Sequence, residues 1–487
     1  MVKLNYFNIT GGLNKFSSIA SLNESEKKTD WYDAQNIEGH KSGGLVKMKG
    51  NINVNQTSLP ANTKILGIFD YIKGGVHYPV VNTSEGKLYR LNLSTGLLTQ
   101  VYTGLNQTAK CCYTNFNNGV IVTNGVNTPV FYEEGVGSSL LTGTPPVGLP
   151  IEAFKARVFI ATESTLHYCA LGNPNDWTTA NDAGFIANFH NDSSPIIALK
   201  NYGEYLAIYK KQGIYLLTGS SPADFAIVPV SDKGSLSSWG IGTIDNNQFF
   251  FNGDSITPLR FNELGQVMLA DDVSIKIKPA LDELDSLKFN QVVCIPYQKK
   301  NQIWFYFSTG VDQNLDVCYI YDFFHNSWHK RVGFPVTCGT VIDSVIYTGT
   351  ADGKILQEDY GDDFDGDAIE AWWYSPWFTF GKPGIPKEIN SFDIWLYQDQ
   401  NHSIDVLYSK NYGQNHLFKS ISVLGEDDLI WDVRNWDSDG WSSSKAIKKR
   451  IRLNGKYESI QIGVRNIEAN QPFTVLGFSF DLEVADL

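Results

Sequence analysis

Along most of the chain, short apolar runs alternate with polar positions and come in pairs joined by tight turns. The stretch YPVVNTSEGKLYRLNLSTG, residues 79–97, shows the pattern: an apolar strand, a turn at Glu85-Gly86, then a second strand from Lys87 to Asn92. Alternation with a period of two marks a half-buried strand, and a glycine in the turn supplies the positive φ that a tight hairpin needs. Comparable hairpins turn at Asn124-Gly125, near Ser164, at Gln212-Gly213, at Asn252-Gly253, near Asn314 and at Asp352-Gly353. Their spacings are about 39, 39, 49, 40, 61 and 39 residues. A repeat of about 40 residues with four short strands is that of a propeller blade. The pattern therefore predicts a mainly β fold, a β-propeller of about seven blades.

The pattern changes at both ends of this array. Residues 1–60 are rich in Gly, Asn and Lys with little periodicity, and read as an N-terminal extended arm with loops. The propeller is expected over 61–368. Its widest spacing holds DVSIKIKPALDELDSL, where Ile277, Leu281 and Leu284 fall at helical intervals behind Pro279, predicting a rim helix near 274–288. Beyond GDDFDGD the strands lengthen and lose the blade period, so 369–487 reads as a C-terminal β-sandwich.

Composition agrees with a β fold: aromatics make up 13% of the chain and Met only 3 residues. The formal charge is −13, and few of the basic residues are Arg, which argues against a protein that grips nucleic acid through phosphate forks. A channel through which DNA slides, in contrast, favours neutral or acidic walls. The six Cys lack metal spacing, and adjacent Cys111 and Cys112 are expected on opposite faces of a strand as buried free thiols. The N-terminus shows no apolar signal core, and no apolar run is long enough to span a bilayer, so no membrane partner is expected.

Candidate chemistry is sparse. Asp362, Asp363, Asp365 and Asp367 resemble a calcium loop, but Gly366 is misplaced and no Glu closes the loop, so they read as a solvated linker. His325 and His329 have helical spacing inside a strand-and-turn pattern that separates the rings. SKNYGQNH, residues 409–416, partly matches the Asp-box turn of sialidase propellers, and a substrate-binding Arg cluster would have to come from Arg90, Arg157, Arg260 and Arg331 in different blades. The basic run Lys445 to Arg452 alternates with Ile447 and Ile451 as one exposed strand face. No P-loop, nucleophile elbow or dinucleotide fingerprint is present. The expectation is a non-enzymatic chain without metal or cofactor. The alternative is a glycan-binding or sialidase-like propeller whose sandwich presents Trp372, Trp373, Trp377, Trp431, Trp436 and Trp441 to sugars.

The N-terminal segment carries a resemblance. Gly11, Gly12, Leu13 and Asn14, then Tyr32, Asp33 and Asn36, then Ser42-Gly43 before a basic stretch and Gly50, resemble the start of tail hub or nozzle proteins of short-tailed bacteriophages. The central segments IIALKNYGEYLAIYKKQGIYLLTG and SDKGSLSSWGIG resemble that family's middle blades. The resemblance implies a structural virion protein in a homohexameric ring under the portal and adaptor ring. Such a ring forms the lower DNA channel, attaches tail fibres, spikes or a needle, and touches genomic DNA transiently. It places the chain in the virion tail, assembled in the host cytoplasm. Two departures from the family stand out: the arm is short, and no added lytic or fibre domain is present. Two expectations follow. Ordering an apolar-poor arm costs about 1 kcal/mol per residue or more, so the arm should pack on a neighbouring subunit or the adaptor ring. The channel wall should draw on Asp271, Asp272, Asp282, Glu283, Asp362, Asp363, Asp365 and Asp367.

Overall fold

The computed structural model describes residues 2–19, 21–311, 314–397, 403–413, 417–422 and 446–483. Trp431, Trp436, Trp441, Lys445 and the end of the Asp-box-like stretch, residues 414–416, lie outside the described residues.

Seven consecutive antiparallel sheets follow one another along the chain, and six are simple four-stranded meanders. Their innermost strands are Ile65–Phe69, Cys112–Phe116, Ile151–Phe154, Ile196–Tyr202, Ile241–Ile244, Val293–Tyr297 and Cys338–Ile342, which we take as blades 1 to 7. Every hairpin turn read from the sequence is the link between the second and third strands of its blade, from Val80–Thr83 to Lys87–Leu91 in blade 1 through Val345–Gly349 to Ile355–Glu358 in blade 7. The period survives because these second and third strands are mostly buried apolar runs bounded by turn residues, and that unit recurs in every blade. Between blades, apolar layers interleave. Cys111 packs with Val80 and Leu88 between blades 1 and 2, whereas Cys112 turns toward Ile151 and Val158 between blades 2 and 3. The adjacent thiols thus face opposite sides of their strand, and all six cysteines are free.

Blade 7 takes its fourth strand from the other end of the chain. Asn51–Asn53 pairs antiparallel with Ile355–Glu358, placing Glu358 opposite Asn51 and Leu356 opposite Asn53. The ring is therefore closed by backbone hydrogen bonds between segments about 300 residues apart. This strand lies inside the stretch read as arm, where its short polar sequence gave no strand signal.

The helical insertion sits between blades 5 and 6 and is shorter than expected. Ile275–Ile277 and Ser286–Gln291 are 3-10 turns that flank a five-residue α-helix, Lys278–Asp282, which has Pro279 in its first turn. Ile277, Leu281 and Leu284 are all buried against Phe249, Phe251 and Phe305, as their spacing requires.

The C-terminal region is a two-sheet sandwich built together with the N-terminal segment. One sheet runs Ala446–Tyr457, Lys387–Tyr397, Thr474–Glu483, Leu45–Lys47, Ile37–Gly39, and Val2–Tyr6 also lies against Thr474–Glu483. The other runs Asp33–Gln35, Ala371–Tyr374, Ile460–Asn466, Ser403–Lys410, Leu417–Ser422. Tyr6, Ile9, Trp31, Ile37 and Leu45 share one core with Trp373, Phe392, Phe478 and Phe480. The arm expected to dock on a neighbour is thus folded into its own chain. Phe7, Phe16 and Ile19 stay exposed, but Tyr6, Ile9, Trp31, Ile37 and Leu45 are buried, and they offset the ordering cost together with the strand pairing.

Candidate functional site

Two features gather side chains of functional interest: the propeller axis and the seam joining propeller to sandwich.

The inner strands of all seven blades enclose an axial cavity of about 370 Å³. Its wall carries Lys110, Cys112 and Tyr113 from blade 2, Lys200 from blade 4, Trp239 and Thr243 from the approach to and start of blade 5, Cys294 from blade 6 and Thr340 from blade 7. The Lys110 ammonium donates to the Thr337 carbonyl at 2.6 Å and stands 5.2 Å over the Trp239 ring, whose Nε1 donates to the Cys111 carbonyl at 3.1 Å. Burial lowers Lys110 to about 8 and pushes the Cys112 thiol up to about 12, so the cavity thiols are protonated and poor nucleophiles at neutral pH. Beside the cavity, burial raises the Glu152 carboxyl to about 7 against the pull of Lys200. A cavity of this size holds a small molecule and not a DNA duplex, whose grooves alone are about 6 and 12 Å wide.

The seam gathers much of the N-terminal motif that carried the family resemblance, whereas the central segments that also carried it are strands of blade 4 and the approach to blade 5. Leu13 is buried beside Phe249, Phe305 and Trp328, and its N–H donates to the Trp328 carbonyl at 2.8 Å. Asn14 Nδ2 donates to Asp30 Oδ2 at 2.8 Å while Lys276, from the insertion, holds Asp30 Oδ1 at 2.9 Å. The Lys276 carbonyl accepts from the N–H groups of Lys15 and Phe16, so the insertion is the platform on which this segment lies. Asp33 pairs with Lys15 at 2.8 Å. Asn36, at a φ of 54°, accepts on Oδ1 from Val332 N–H of blade 6 at 2.9 Å and donates from Nδ2 to the Glu370 carbonyl of the sandwich at 2.8 Å. Gly11 and Gly12 touch backbone so closely that a Cβ would meet the Thr29 carbonyl at 2.3 Å and Ser327 at 2.5 Å. At Gly43 and Gly50 it would fall 2.5 Å from the Phe7 carbonyl and 1.5 Å from that of Asp363.

Under the seam lies a buried charge network. Arg331, fully buried, donates to the carbonyls of Lys49 at 2.5 Å and Gly50 at 3.2 Å and to Glu358 Oε2 at 2.8 Å. Its guanidinium faces Trp304, Phe334 and Phe364 at 5.3, 5.2 and 5.0 Å. Glu358 also accepts from Thr348 at 2.6 Å and from Asn51 at 3.3 Å. Nearby, His329 stacks on Trp31 at 5.1 Å, and burial lowers its imidazole to about 4. His325 instead faces Asp322 at 3.1 Å from the turn.

The acidic candidates fall in two separate places. Asp271, Asp282 and Glu283 are exposed around the insertion, while Asp272 accepts from Ser274 N–H at 2.7 Å. At the outer edge of blade 7, Asp362 pairs with Lys49 at 2.7 Å, Asp365 pairs with Lys354 at 2.8 Å, and Asp363 caps Gly366 N–H at 3.0 Å, leaving Asp367 exposed. Local cations therefore neutralise part of the second group. No cluster of His, Cys, Asp or Glu suited to a metal occurs among the described residues.

The remaining candidates do not converge. Arg90 pairs with Glu134 and Arg157 with Asp182, Arg260 is exposed, and Arg331 is in the buried network; none lines the axial cavity. Trp373 and Trp377 are core residues and Trp372 is half-buried. On Ala446–Tyr457, Lys448, Arg450 and Arg452 share the exposed face, and Asp393 holds two of them, Lys448 at 3.1 Å and Arg450 at 2.7 Å. Among the described residues no helix is long and apolar enough to cross a membrane. Sequence reasoning missed the Arg331–Glu358 pair and the two axial lysines, since only the ring closure brings these residues together.

The strand order defines a seven-bladed β-propeller joined to a β-sandwich. No protein-family model and no curated protein matches the chain. Among solved structures, virginiamycin B lyase from Staphylococcus aureus is similar at 13% identity over 63% of this chain and 97% of that one, with a TM-score of 0.44. BamB from Moraxella catarrhalis is similar at 13% identity over 67% and 96%, with a TM-score of 0.39. The computationally designed Ika8 protein is similar at 12% over 64% and 99%, with a TM-score of 0.41. At such identities the likeness is one of fold alone, and no activity carries over from it.

Proposed function

We propose that this chain is a structural subunit of a hexameric tail nozzle or hub in a short-tailed bacteriophage, where the ring forms the lower DNA channel and anchors fibres, spikes or a needle. The observation that carries the reading is the seam. Of the residues behind the resemblance, Gly12, Leu13 and Asn36 join the N-terminal strands of the sandwich to blades 5 and 6, Gly50 packs on the edge of blade 7, and Gly11, Asn14, Asp33 and Gly43 fix the N-terminal segment that makes this joint. A scaffold that bears load needs its two bodies fixed in one orientation, and close backbone contacts that admit no Cβ supply this.

The role is non-enzymatic in this reading. Support comes from protonated thiols in the axial cavity and from arginines spent on separate ion pairs. The three exposed acids of the insertion, Asp271, Asp282 and Glu283, are the best placed of the acidic candidates to repel DNA in a lumen, since no ion pair occupies them among the described residues. Electron microscopy of the purified protein and of particles labelled with antibody against this chain tests the proposal. Rings with a central opening at the tail vertex are expected; label absent from particles, or a chain monomeric in every assembly context, overturns it.

A further inference from the structure

The axial cavity is unusual for this protein. The chain carries a formal charge of −13, yet the cavity wall includes two lysines, Lys110 and Lys200, and no carboxylate. Lys110 spends one donor on the Thr337 carbonyl and keeps two. Lys200 has no carboxylate within ion-pair distance among the described residues; Glu152 is its nearest acidic influence and acts at longer range. Tyr113 also lines this wall, with its hydroxyl turned away against Gly67. An ammonium withdrawn from water without a counter-charge is costly. That cost falls if an acceptor that carries negative charge occupies the cavity. The volume of about 370 Å³ lies within the usual range for small-molecule sites.

We propose that the propeller axis is a binding site for a small organic or inorganic dianion, a dicarboxylate or phosphate, held by the ammonium groups of Lys200 and Lys110. The remaining wall suits this ligand. Thr243 and Thr340 offer hydroxyls, and Cys112 and Cys294 stay neutral, so they add no repulsion. Trp239 covers the Lys110 end, which makes it a built-in reporter of occupancy. The groups lining the cavity that can titrate are Lys110, Lys200, Cys111, Cys112, Cys294, Cys338 and Tyr113, with Glu152 behind Lys200. As pH falls from 8 toward 6, Glu152 gains a proton and Lys110 becomes fully charged, so affinity for a dicarboxylate, which keeps most of its own charge over this range, should rise.

Equilibrium dialysis of the full chain against labelled succinate, and separately labelled orthophosphate, at constant ionic strength tests this site. One saturable site per chain is expected, with quenching or enhancement of Trp239 fluorescence, and the better of the two probes identifies an extended or a compact dianion. Lys200→Gln should weaken binding roughly tenfold or more, the scale of a hydrogen bond to a charged group. Glu152→Gln, which leaves both lysines in place, should tighten it at pH 8. Absence of a saturable site for both probes overturns the proposal. Equal binding by K200Q, or no change in E152Q, overturns it too, showing an adventitious ion only. The site lies within one propeller, so its failure leaves the ring assembly untouched.

Discussion

Replacing Arg331 with Met removes the charge that joins blade 6 to the closing strand of blade 7. In the folded chain Arg331 meets Glu358 at 2.8 Å and holds the Lys49 and Gly50 carbonyls, immediately before Asn51–Asn53. The side chains of Arg331 and Glu358 are 2% and 0% exposed, so surface screening does not dilute the interaction. Burial raises the Glu358 carboxyl and Arg331 opposes that rise; without Arg331 the carboxylate must either stay charged in an apolar surround or take up a proton. Breaking a buried pair on one side costs about 3–5 kcal/mol. The orphaned carbonyls contribute to that cost. Adding Glu358→Gln to Arg331→Met removes the buried charge yet keeps partners for Thr348 and Asn51. It should recover about half, since leaving the two carbonyls without donors still costs about 1–3 kcal/mol each. Urea unfolding followed by tryptophan fluorescence measures the stability, and amide hydrogen exchange over 51–53 and 355–358 locates the opening. A loss under about 1 kcal/mol in R331M, or a double variant no more stable than the single one, would refute the view that this pair latches the ring.

Other expectations follow from the same geometry. His329 titrates at about 4 in the folded chain against an ordinary 6.5, so between those values the unfolded chain binds the proton and stability falls as pH falls. The full effect is about 3 kcal/mol, and His329→Gln should flatten the urea midpoint between pH 6.5 and 4; an unchanged slope contradicts it. Asn36→Ala removes two side-chain hydrogen bonds and the residue best suited to a φ of 54°. It should cost about 2–4 kcal/mol and give earlier proteolysis between propeller and sandwich, whereas wild-type resistance speaks against the seam. Converting Asp271, Asp282 and Glu283 together to Lys should slow genome ejection at low salt and less so at high salt; unchanged ejection at low salt removes these acids from the lumen.

How much was legible in the sequence depended on how local each feature is. The blades could be read because the inner three strands of each follow one another in the chain, and all seven hairpins fell at equivalent places. The core face of the insertion could also be read, since Ile277, Leu281 and Leu284 are spaced four and three apart around the short α-helix and share its buried side. What escaped was long-range pairing. Asn51–Asn53 has too few apolar residues to announce a strand and becomes one only when Ile355–Glu358 offers a free edge. Likewise Val2–Tyr6 and Leu45–Lys47 gain their place from Thr474–Glu483, so a stretch that reads as an arm supplies strands and core residues to the sandwich. The glycines and the asparagine of the N-terminal motif have physical roles in the fold: close backbone contact selects Gly, and a left-handed bridge with two side-chain hydrogen bonds selects Asn at position 36. Their spacing alone could not say which distant segments they meet.

The central claim is that this chain assembles as a ring in a virion tail. A single-particle reconstruction of the particle's tail vertex, computed without imposed symmetry, tests it most directly. The account predicts six copies of a seven-bladed propeller with its sandwich, arranged around a channel wide enough for duplex DNA, with the propeller axes outside that channel. A vertex in which the chain is absent, or present as a single copy off the tail axis, would contradict it.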